Sequence, residues 1–257
     1  MQLVDTHKFE EKRNIPLDRV GITDLKLPIV LNSGNRVYNG IAGVSVYVGL
    51  AGALKGAHLS RISEVLNSSI PCGIELGGFG KLVEDLSATC EADNVELHLE
   101  VEIPYESLTP VTNKKSICIA RLRVFAERCD GKTTQNVDVV VEGTALCPCS
   151  KNISIYSAHN QRSEMTLTVY DCSDIDINAT INQMIKEFSC EVYNCLKRED
   201  EKFVTERAYE NAKFSEDIVR DALIALKKLY PTNRIKIKVK NYESIHQHNV
   251  EAMGYLG

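Results

Sequence analysis

Apolar and polar residues alternate along several stretches of the chain, and this period of two predicts half-buried β-strands. The clearest stretch is 95–103, where valine, leucine and isoleucine at odd positions alternate with polar residues. The same alternation around residues 118–124 predicts a hairpin partner for this strand. Further strands are predicted over 137–145, 165–169 and 235–239, and a strand pair is predicted between residues 27 and 50.

Other stretches carry apolar residues three or four positions apart, which is the spacing of an amphipathic helix. This spacing predicts helices over residues 62–66, 76–86, 177–195 and 215–229. Ser215 is the predicted N-cap of the last helix, and Pro231 ends it. The charged run at 198–202 lacks apolar spacing and is interpreted as a solvated surface segment.

The predicted elements follow one another as a strand pair, a helix pair and a strand pair, and this order then repeats. An α+β fold built from two tandem modules is therefore predicted. We expect a polar N-terminal arm over residues 1–25, a first module over 26–130 and a second module over 131–257. The second module carries most of the candidate chemistry.

The composition is typical of a globular protein and argues against nucleic acid as a partner. The chain has 257 residues, of which 44% are apolar and 25% are charged. Its formal net charge is -5, it has no Trp, and its aromatic content is 6%, so both a basic surface and a stacking platform are missing. A local basic pocket could still bind a small anionic substrate.

The cysteines and the N-terminal sequence indicate a reducing compartment. Nine cysteines is an odd count, and the first residues lack the apolar core of a signal peptide. No run approaches the roughly 20 apolar residues that a membrane span needs. A cytoplasmic protein without a membrane partner is therefore predicted. Most of its thiols are then small buried hydrophobic residues, among them Cys72, Cys90, Cys118 and Cys190.

Two thiols on either side of a proline, Cys147 and Cys149, follow the strand predicted over 137–145. Thiolate is a preferred ligand of zinc-like metals and is also a nucleophile. If the strand keeps its pleat, both thiols point to the same side. They could then both ligate one metal, or one could ligate while the other reacts. The alternative is a pair of inert thiols at a strand end.

Histidines near these thiols and near the C terminus add candidates. His159 could ligate a metal and Arg162 could bind a phosphate bidentately, although both could also be surface residues. Continuing the period of the last strand places His246 and His248 on one face, which suits metal ligands or proton shuttles. An H-x-H pair without such a role is the alternative.

Two glutamates and a basic segment are ambiguous in their local sequence. Glu201 lies in the charged run and is interpreted as a solvated side chain. Glu216 is interpreted as a carboxylate that stabilises a helix dipole. A glycine-containing loop with Lys55, His58 and Arg61 leads into the first helix, where backbone amides and cations suit a phosphate. An ordinary helix start is the alternative for this loop.

Four segments are more specific together than any one alone. They are residues 55–61 (KGAHLSR), 147–151 (CPCSK), 159–163 (HNQRS) and 243–249 (ESIHQHN). In content and order they closely resemble the type IB GTP cyclohydrolase I family, the prokaryotic form of that enzyme. The resemblance covers nearly the whole chain, with mild departures at Ala57 and Leu59. Signatures of serine hydrolases, zincins and dinucleotide-binding proteins are missing.

The resemblance implies a tunnelling fold (T-fold), whose antiparallel sheets close into barrels when subunits associate, usually in a homotetramer with active sites at subunit interfaces. It implies hydrolysis of GTP to 7,8-dihydroneopterin triphosphate and formate. This product feeds folate synthesis and, in some bacteria, 7-deazaguanine modification of tRNA. It also implies one divalent metal per active site, and the sequence leaves open whether Zn, Mn, Fe or Co binds.

The resemblance also implies roles for individual residues. The implied metal ligands are Cys147, His159 and Glu201. Cys149 matches a catalytic thiol, and Glu216 matches the carboxylate that accepts the N1–H and the amino group of guanine. The residues implied for proton transfer are Glu243, His246 and His248. The candidates for the triphosphate are Lys55, His58, Arg61 and Arg162.

Two other functions stay open on the sequence. One is another T-fold enzyme that acts on a purine or pterin, with the same carboxylate anchor and a different catalytic set. The other is a non-enzymatic protein with a structural zinc. A structural site is closed by four protein ligands, whereas a catalytic site keeps one position open.

Overall fold

The computed structural model describes residues 11–257, which form ten β-strands and six α-helices. The strands are β1 (Leu17–Ser33), β2 (Arg36–Leu50), β3 (Ile74–Glu75), β4 (Val95–Leu108), β5 (Lys115–Cys129), β6 (Lys132–Leu146), β7 (Asn160–Val169), β8 (Cys190–Glu191), β9 (Ile235–Asn241) and β10 (Val250–Leu256). The helices are α1 (Leu59–Ser69), α2 (Phe79–Cys90), α3 (Pro148–Ile153), α4 (Ile177–Lys186), α5 (Arg198–Glu210) and α6 (Ser215–Lys227). In this described range, no helix is long and apolar enough to cross a membrane.

These elements group into two compact units that interleave along the chain. The first comprises the described residues up to Val101 together with Arg123–Val137 and Asp171–Ile175. The second comprises Glu102–Leu122, Asp138–Tyr170 and Asp176–Gly257. β4, β5 and β6 each contribute residues to both units. The tandem modules over 26–130 and 131–257 stay a prediction. They are defined by the order of elements along the chain, whereas the two compact units combine residues from separate stretches of it.

In the first unit, long antiparallel strands bury alternate side chains. The strand order is β6-β5-β4-β2-β1-β3, in which β1 with β2 and β2 with β4 pair antiparallel, whereas β3 is parallel to its neighbour β1. Ala42, Val44 and Val46 of β2 are buried while the residues between them are more exposed. α1 and α2 contact each other and bury Ile62 and Phe79. The period-two and helical patterns predicted for this part of the chain are confirmed.

In the second unit, the strand order is β10-β9-β7-β6-β5-β4, and α6 packs on β9 and β10. β7 and β9 pair antiparallel, with Ser163 opposite Asn241. Ile237 and Val239 of β9 are completely buried, as the alternating pattern predicts. This register matters for the site, because it brings the chain that follows β9 alongside the first residues of β7.

The α+β class is confirmed, and one predicted helix is too long. The helix predicted over 177–195 is wrong beyond Lys186, where α4 ends. Phe188 is buried directly against Gly143. A side chain at position 143 would collide with the Phe188 ring. The residues that follow pair with β6 as β8. Strand pairing therefore replaces the helix, although the apolar spacing continues.

Some local predictions are also corrected. The polar arm over residues 1–25 is wrong from Leu17, where β1 begins, and residues 1–10 lie outside the described residues. The N-cap of α6 is Phe214 rather than Ser215, whose hydroxyl is buried and donates to Glu216. Among the cysteines predicted to be buried, Cys118 and Cys190 are buried, Cys90 is partly exposed and Cys72 is exposed.

Candidate functional site

The two thiols lie at the junction of β6 and α3, within the second unit. Pro148 is the first residue of α3, a position where its missing N–H leaves no helical hydrogen bond unmade. Cys147 is the N-cap residue, and its thiol accepts a hydrogen bond from the Ser150 N–H at 3.5 Å. The two thiols therefore do not share a β-strand, and the prediction that a strand pleat points them to the same side is wrong. Cys147 is partly buried and Cys149 is exposed.

Hydrogen bonds through backbone groups join Cys147 to His159. The Cys147 N–H donates to the His159 carbonyl at 3.1 Å. The Ser150 hydroxyl donates to the Cys147 carbonyl and accepts from the His159 N–H, each at 3.2 Å. Ser150 therefore connects two predicted metal ligands. Its only signal in the sequence is its place between the thiols and Lys151.

The His159 side chain contacts the segment that follows β9. Its Nδ1 lies 2.8 Å from Gln161 Oε1 and 3.5 Å from Ser244 Oγ. Gln161 Nε2 in turn donates to Glu243 Oε1 at 3.3 Å. These residues meet because the antiparallel pairing of β7 with β9 continues past the strand ends and places residue 243 opposite residue 161. His159 and Glu243 are predicted site residues, whereas the local sequence carries no signal that singles out Gln161.

The two histidines of the H-x-H pair lie beyond the last strand position of β9. Because β9 ends at Asn241, its alternation of side chains does not extend to His246 and His248. The prediction that this alternation places the two histidines on one face of a strand is wrong. Their rings are nevertheless stacked, with centroids 4.9 Å apart and planes inclined by 13°. Both side chains are exposed, so either imidazole is accessible to a substrate.

Glu201 lies in the first turn of α5, so the charged run at 198–202 is part of a helix. The buried carboxylate of Asp200 holds this end of the helix by accepting from the N–H groups of Val111 and Thr112, each at 2.9 Å. Burial opposes ionisation of Asp200, but these donors and the Thr112 hydroxyl outweigh it and hold its pKa well below the ordinary value. Glu201 is itself exposed on an anchored turn.

The other end of α5 is attached to the segment that carries the thiols. Lys151 Nζ donates to the Tyr209 carbonyl at 2.6 Å and lies 4.6 Å from the centre of the Tyr209 ring. A cation is favourable at this end because the helix dipole is negative there. Beneath the helix, Ala208 packs with Leu146 and Cys190. The thiol segment and α5 therefore form one packed structure.

A cavity of about 680 Å³ lies beside this structure. Its lining includes the residue before Cys147, the residue before His159, and Val204, which is one helical turn from Glu201. Burial raises the pKa of Cys190, another lining residue, to about 11, so that thiol is protonated at neutral pH. Cys190 is therefore not a competing nucleophile.

Asn160 and Arg162 of β7 line the cavity, so Gln161 between them faces the other side of the strand. The predicted ligands Cys147, His159 and Glu201 are not among the lining residues.

The donor types fit a divalent metal, although this single chain does not gather them into a closed set. Within residues 11–257, no three His, Cys, Asp or Glu side chains group closely enough to hold an ion. Cys147 and His159 are connected through the backbone, and His159 uses Nδ1 for protein contacts, which leaves Nε2 available. The ligand roles of Cys147, His159 and Glu201 stay a prediction.

Two residues predicted to bind the substrate belong to the second unit. Glu216 is exposed in the first turn of α6 and accepts from the Ser215 hydroxyl at 3.0 Å. Arg162 lines the cavity and pairs with Glu142, with 2.6 Å between the charged atoms. Both side chains are accessible from outside the core, and their substrate contacts stay a prediction.

The other three cations predicted for the triphosphate belong to the first unit, near the start of α1. Lys55 Nζ lies 3.2 Å from a Glu11 carboxylate oxygen. Arg61 donates to the Thr89 carbonyl at 3.0 Å, and His58 directly precedes α1. Existing partners of Lys55 and Arg61 would compete with a phosphate for these donors, and the triphosphate role stays a prediction.

Comparison with known proteins gives matches over nearly the whole chain. A family model described as Type I GTP cyclohydrolase folE2 matches residues 3–252. GTP cyclohydrolase FolE2 of Geobacter sp. strain M21 is 39% identical over 253 residues, covering 97% of this chain and 93% of the relative. GTP cyclohydrolase FolE2 2 of Dechloromonas aromatica is 37% identical over 252 residues, covering 97% and 92%.

Comparison of structures gives more distant matches. A uricase from Arthrobacter globiformis has a TM-score of 0.52 at 10% identity, covering 91% of this chain and 92% of the uricase chain. A hyper-thermostable AgUricase mutant has a TM-score of 0.50 at 9% identity, covering 92% and 91%. At such identities the likeness concerns the fold alone, and it confirms the tunnelling fold. The closure of sheets into barrels between subunits stays a prediction.

Proposed function

The chain belongs to the type I GTP cyclohydrolase FolE2 family, and on that basis we propose which of its residues bind and convert GTP. It is a GTP cyclohydrolase that acts in folate biosynthesis, and this function is better supported than another T-fold activity or a structural-zinc protein. The proposed reaction is hydrolysis of GTP to 7,8-dihydroneopterin triphosphate and formate.

One observation carries the placement of the site. Hydrogen bonds run from Cys147 through His159 and Gln161 to Glu243. This series connects three segments whose residues carry a thiol, an imidazole and a carboxylate, and its link to Cys147 runs through backbone groups. Such a set of metal-binding and proton-transferring groups is the expected composition of a hydrolytic site. The residues on either side of His159 in the chain line a cavity of about 680 Å³.

We place the metal on Cys147, His159 and Glu201. The family is metal-dependent, and a mixed thiolate, imidazole and carboxylate set suits one divalent metal per active site, either Zn, Mn or Fe. When bound, such a metal supplies activated water for the hydrolysis. Two features of the protein support the placement. The backbone bonds hold Cys147 and His159 together, and Asp200 anchors the turn that carries Glu201.

Proton transfers at the purine and the ribose require groups that face the substrate. Cys149 is exposed in the first turn of α3 and would donate or accept protons at the sugar. His246 and His248 are exposed and their rings are stacked, so either imidazole can exchange protons with the substrate. Glu243 accepts from Gln161, which holds this third acid–base group close to His159.

Anionic and cationic side chains would bind the two ends of GTP. Glu216 would accept from the N1–H and the amino group of guanine, which is the pairing that a carboxylate offers and an amide does not. The cations proposed for the triphosphate are Lys55, His58, Arg61 and Arg162. Among them Arg162 belongs to the second unit with the other proposed site residues, and like Lys55 and Arg61 it already has a partner, Glu142, with which a phosphate would compete.

We further propose that the protein is a homotetramer with active sites at subunit interfaces. Apolar side chains on the strands support association, since Ile41 is 68% exposed and Ile117 is 61% exposed in the single chain. GTP is the small-molecule partner in this proposal. A cytoplasmic location stays a prediction.

Incubation of the purified protein with GTP tests the proposed reaction. We expect release of formate, and of a pterin that fluoresces after oxidation, to fall to background on chelation and to return when a divalent metal is added. Parallel additions of Zn, Mn and Fe identify the metal that restores the highest rate. Circular dichroism before and after chelation checks that the fold persists. Unchanged turnover after complete metal removal would contradict the proposed metal site, and unfolding on chelation would favour a structural metal.

A Glu216→Gln variant tests the guanine anchor. Loss of two charge-assisted hydrogen bonds, at about 1.5 kcal/mol each, is expected to lower kcat/KM for GTP by about 10²-fold, mainly through KM. Inosine triphosphate, which lacks the amino group, provides a second measurement. The wild type should prefer GTP over this analogue, and the variant should lose most of that preference.

The matched control for this variant is Glu64→Gln, which makes the same change at an exposed position on α1. Its kcat/KM and its preference for GTP should equal those of the wild type. If Glu216→Gln keeps the wild-type preference between the two nucleotides, another group reads the guanine edge.

A further inference from the structure

Gln161 connects the imidazole and the carboxylate of the proposed site, and no role for it follows from the motif analysis. It lies on β7 and is 8% exposed. Its Oε1 is 2.8 Å from His159 Nδ1, and its Nε2 is 3.3 Å from Glu243 Oε1. We propose that Gln161 is a positioning residue that fixes the tautomer of His159, so that Nδ1 carries the proton and Nε2 presents its lone pair to the metal.

The orientation of the Gln161 amide follows from its second partner. A carboxylate only accepts hydrogen bonds, so the NH₂ group of Gln161 must face Glu243. The carbonyl oxygen of the same amide then faces His159, and it accepts a proton that only Nδ1–H can donate. A flipped amide would set its oxygen against the carboxylate oxygen and lose both bonds. Glu243 thus determines the tautomer of His159 through Gln161.

The surrounding strands hold this connection in place. The Tyr242 N–H donates to the Arg162 carbonyl at 2.9 Å, and Ser163 Oγ donates to Asn241 Oδ1 at 2.6 Å. These bonds continue the β7–β9 ladder up to the level of Gln161. Since Gln161 is almost fully buried, water cannot readily replace either of its partners.

A second neighbour of His159 makes a weaker contact. Ser244 Oγ lies 3.5 Å from Nδ1, at the limit of a hydrogen bond, whereas Gln161 Oε1 lies at 2.8 Å. A hydroxyl can donate or accept, so Ser244 does not select a tautomer. Metal-binding imidazoles generally donate their other N–H to a protein acceptor, which orients the ring and strengthens the ligand. Gln161 supplies that acceptor here.

The first test is Gln161→Leu, compared with Gln135→Leu as a matched control. Gln135 is equally buried, at 8% exposure, and its amide is likewise fully hydrogen-bonded: Nε2 donates to two backbone carbonyls and Oε1 accepts from the Gly80 N–H, all within the first unit. Each variant loses a buried amide, so both lose stability. Only Gln161→Leu is expected to lower metal affinity, by about 10- to 100-fold, measured by competition with a chromophoric chelator.

The tautomer is read directly in metal-free protein that carries ¹⁵N-labelled histidine. Long-range ¹H–¹⁵N spectra should show the Nδ1–H form of His159 in the wild type and in Gln135→Leu. In Gln161→Leu, the signal should move towards the Nε2–H form that predominates in free imidazole side chains. Wild-type affinity together with an unchanged tautomer in Gln161→Leu would overturn the proposal.

An exchange of the two side chains gives a variant that tests the same idea if Gln161→Leu does not fold. In the double variant Gln161→Glu, Glu243→Gln, a carboxylate at position 161 accepts from His159 and from the new amide, so His159 Nδ1–H keeps its acceptor while the bond between 161 and 243 reverses direction. We expect the Nδ1–H tautomer and most of the metal affinity to return, relative to Gln161→Glu alone, which sets two carboxylates against each other. No gain over that single variant would overturn the proposal.

This inference rests on the proposed role of His159 as a metal ligand, and His159→Ala separates the two. If His159→Ala keeps its metal, the proposed metal site is wrong. If His159→Ala loses its metal while Gln161→Leu keeps wild-type affinity and tautomer, the metal site stands and only the role of Gln161 fails.

Discussion

A Cys149→Ala enzyme is expected to keep its metal and to lose product formation by about 10³-fold or more. The reason is the position of the thiol. Cys149 is exposed in the first turn of α3, whereas Cys147 is the residue whose backbone is tied to His159. Removing Cys149 should therefore remove a proton-transfer group and leave the ligands in place. Formate release measures the rate, and metal analysis measures the content per subunit.

Cys72→Ala provides the control for this variant, because it removes another exposed thiol, from the first unit. We expect it to match the wild type in both rate and metal content. Metal loss from Cys149→Ala would show that Cys149 is a ligand rather than a catalytic group. In that case the division of roles between Cys147 and Cys149 would be wrong.

Glu201→Gln is expected to lower metal affinity by on the order of 10²-fold or more. Loss of a residue that only supports a metal ligand costs about 10- to 100-fold in affinity, and loss of a ligand itself should cost at least as much. Glutamine has the same size but lacks the charge of the carboxylate donor. The helix should persist, because Asp200 keeps its bonds to Val111 and Thr112. Turnover at limiting metal should fall to background and should recover in part with excess metal.

Glu199→Gln makes the same substitution two positions earlier, in the same exposed first turn of α5. It changes the net charge and the helix dipole interaction equally, so it should retain wild-type metal affinity if Glu201 is a ligand. Equal affinities of the two variants would assign the third ligand to another residue.

α5 shows why the sequence was insufficient for this ligand. Its residues 198–202 are all charged, so no apolar stripe signals a helix. The helix is defined by contacts with distant segments. Asp200 accepts from the turn at residues 111 and 112, and Lys151 donates to the carbonyl of Tyr209. Local sequence contains neither partner, and the resemblance to a family was needed to select Glu201.

The end of α4 shows the opposite case, in which a strong local pattern is misleading. Apolar spacing continues to residue 195, but the helix ends at Lys186 because Phe188 packs on Gly143 and the chain then pairs with β6. Similarly, the thiols follow a strand pattern, but Pro148 begins a helix between them. In each case a tertiary or capping interaction outweighs periodicity.

The sequence by itself determined the α+β class and most strands and helices, and it selected the residues that are predicted to ligate the metal and to transfer protons. Periodicity and residue type are local properties, and four short segments were enough to indicate the family. Only the tertiary structure decided that Ser150 links Cys147 to His159 and that Gln161 links His159 to Glu243. Residues 161 and 243 are far apart in the chain, and they meet because the register of β7 on β9 places them opposite each other.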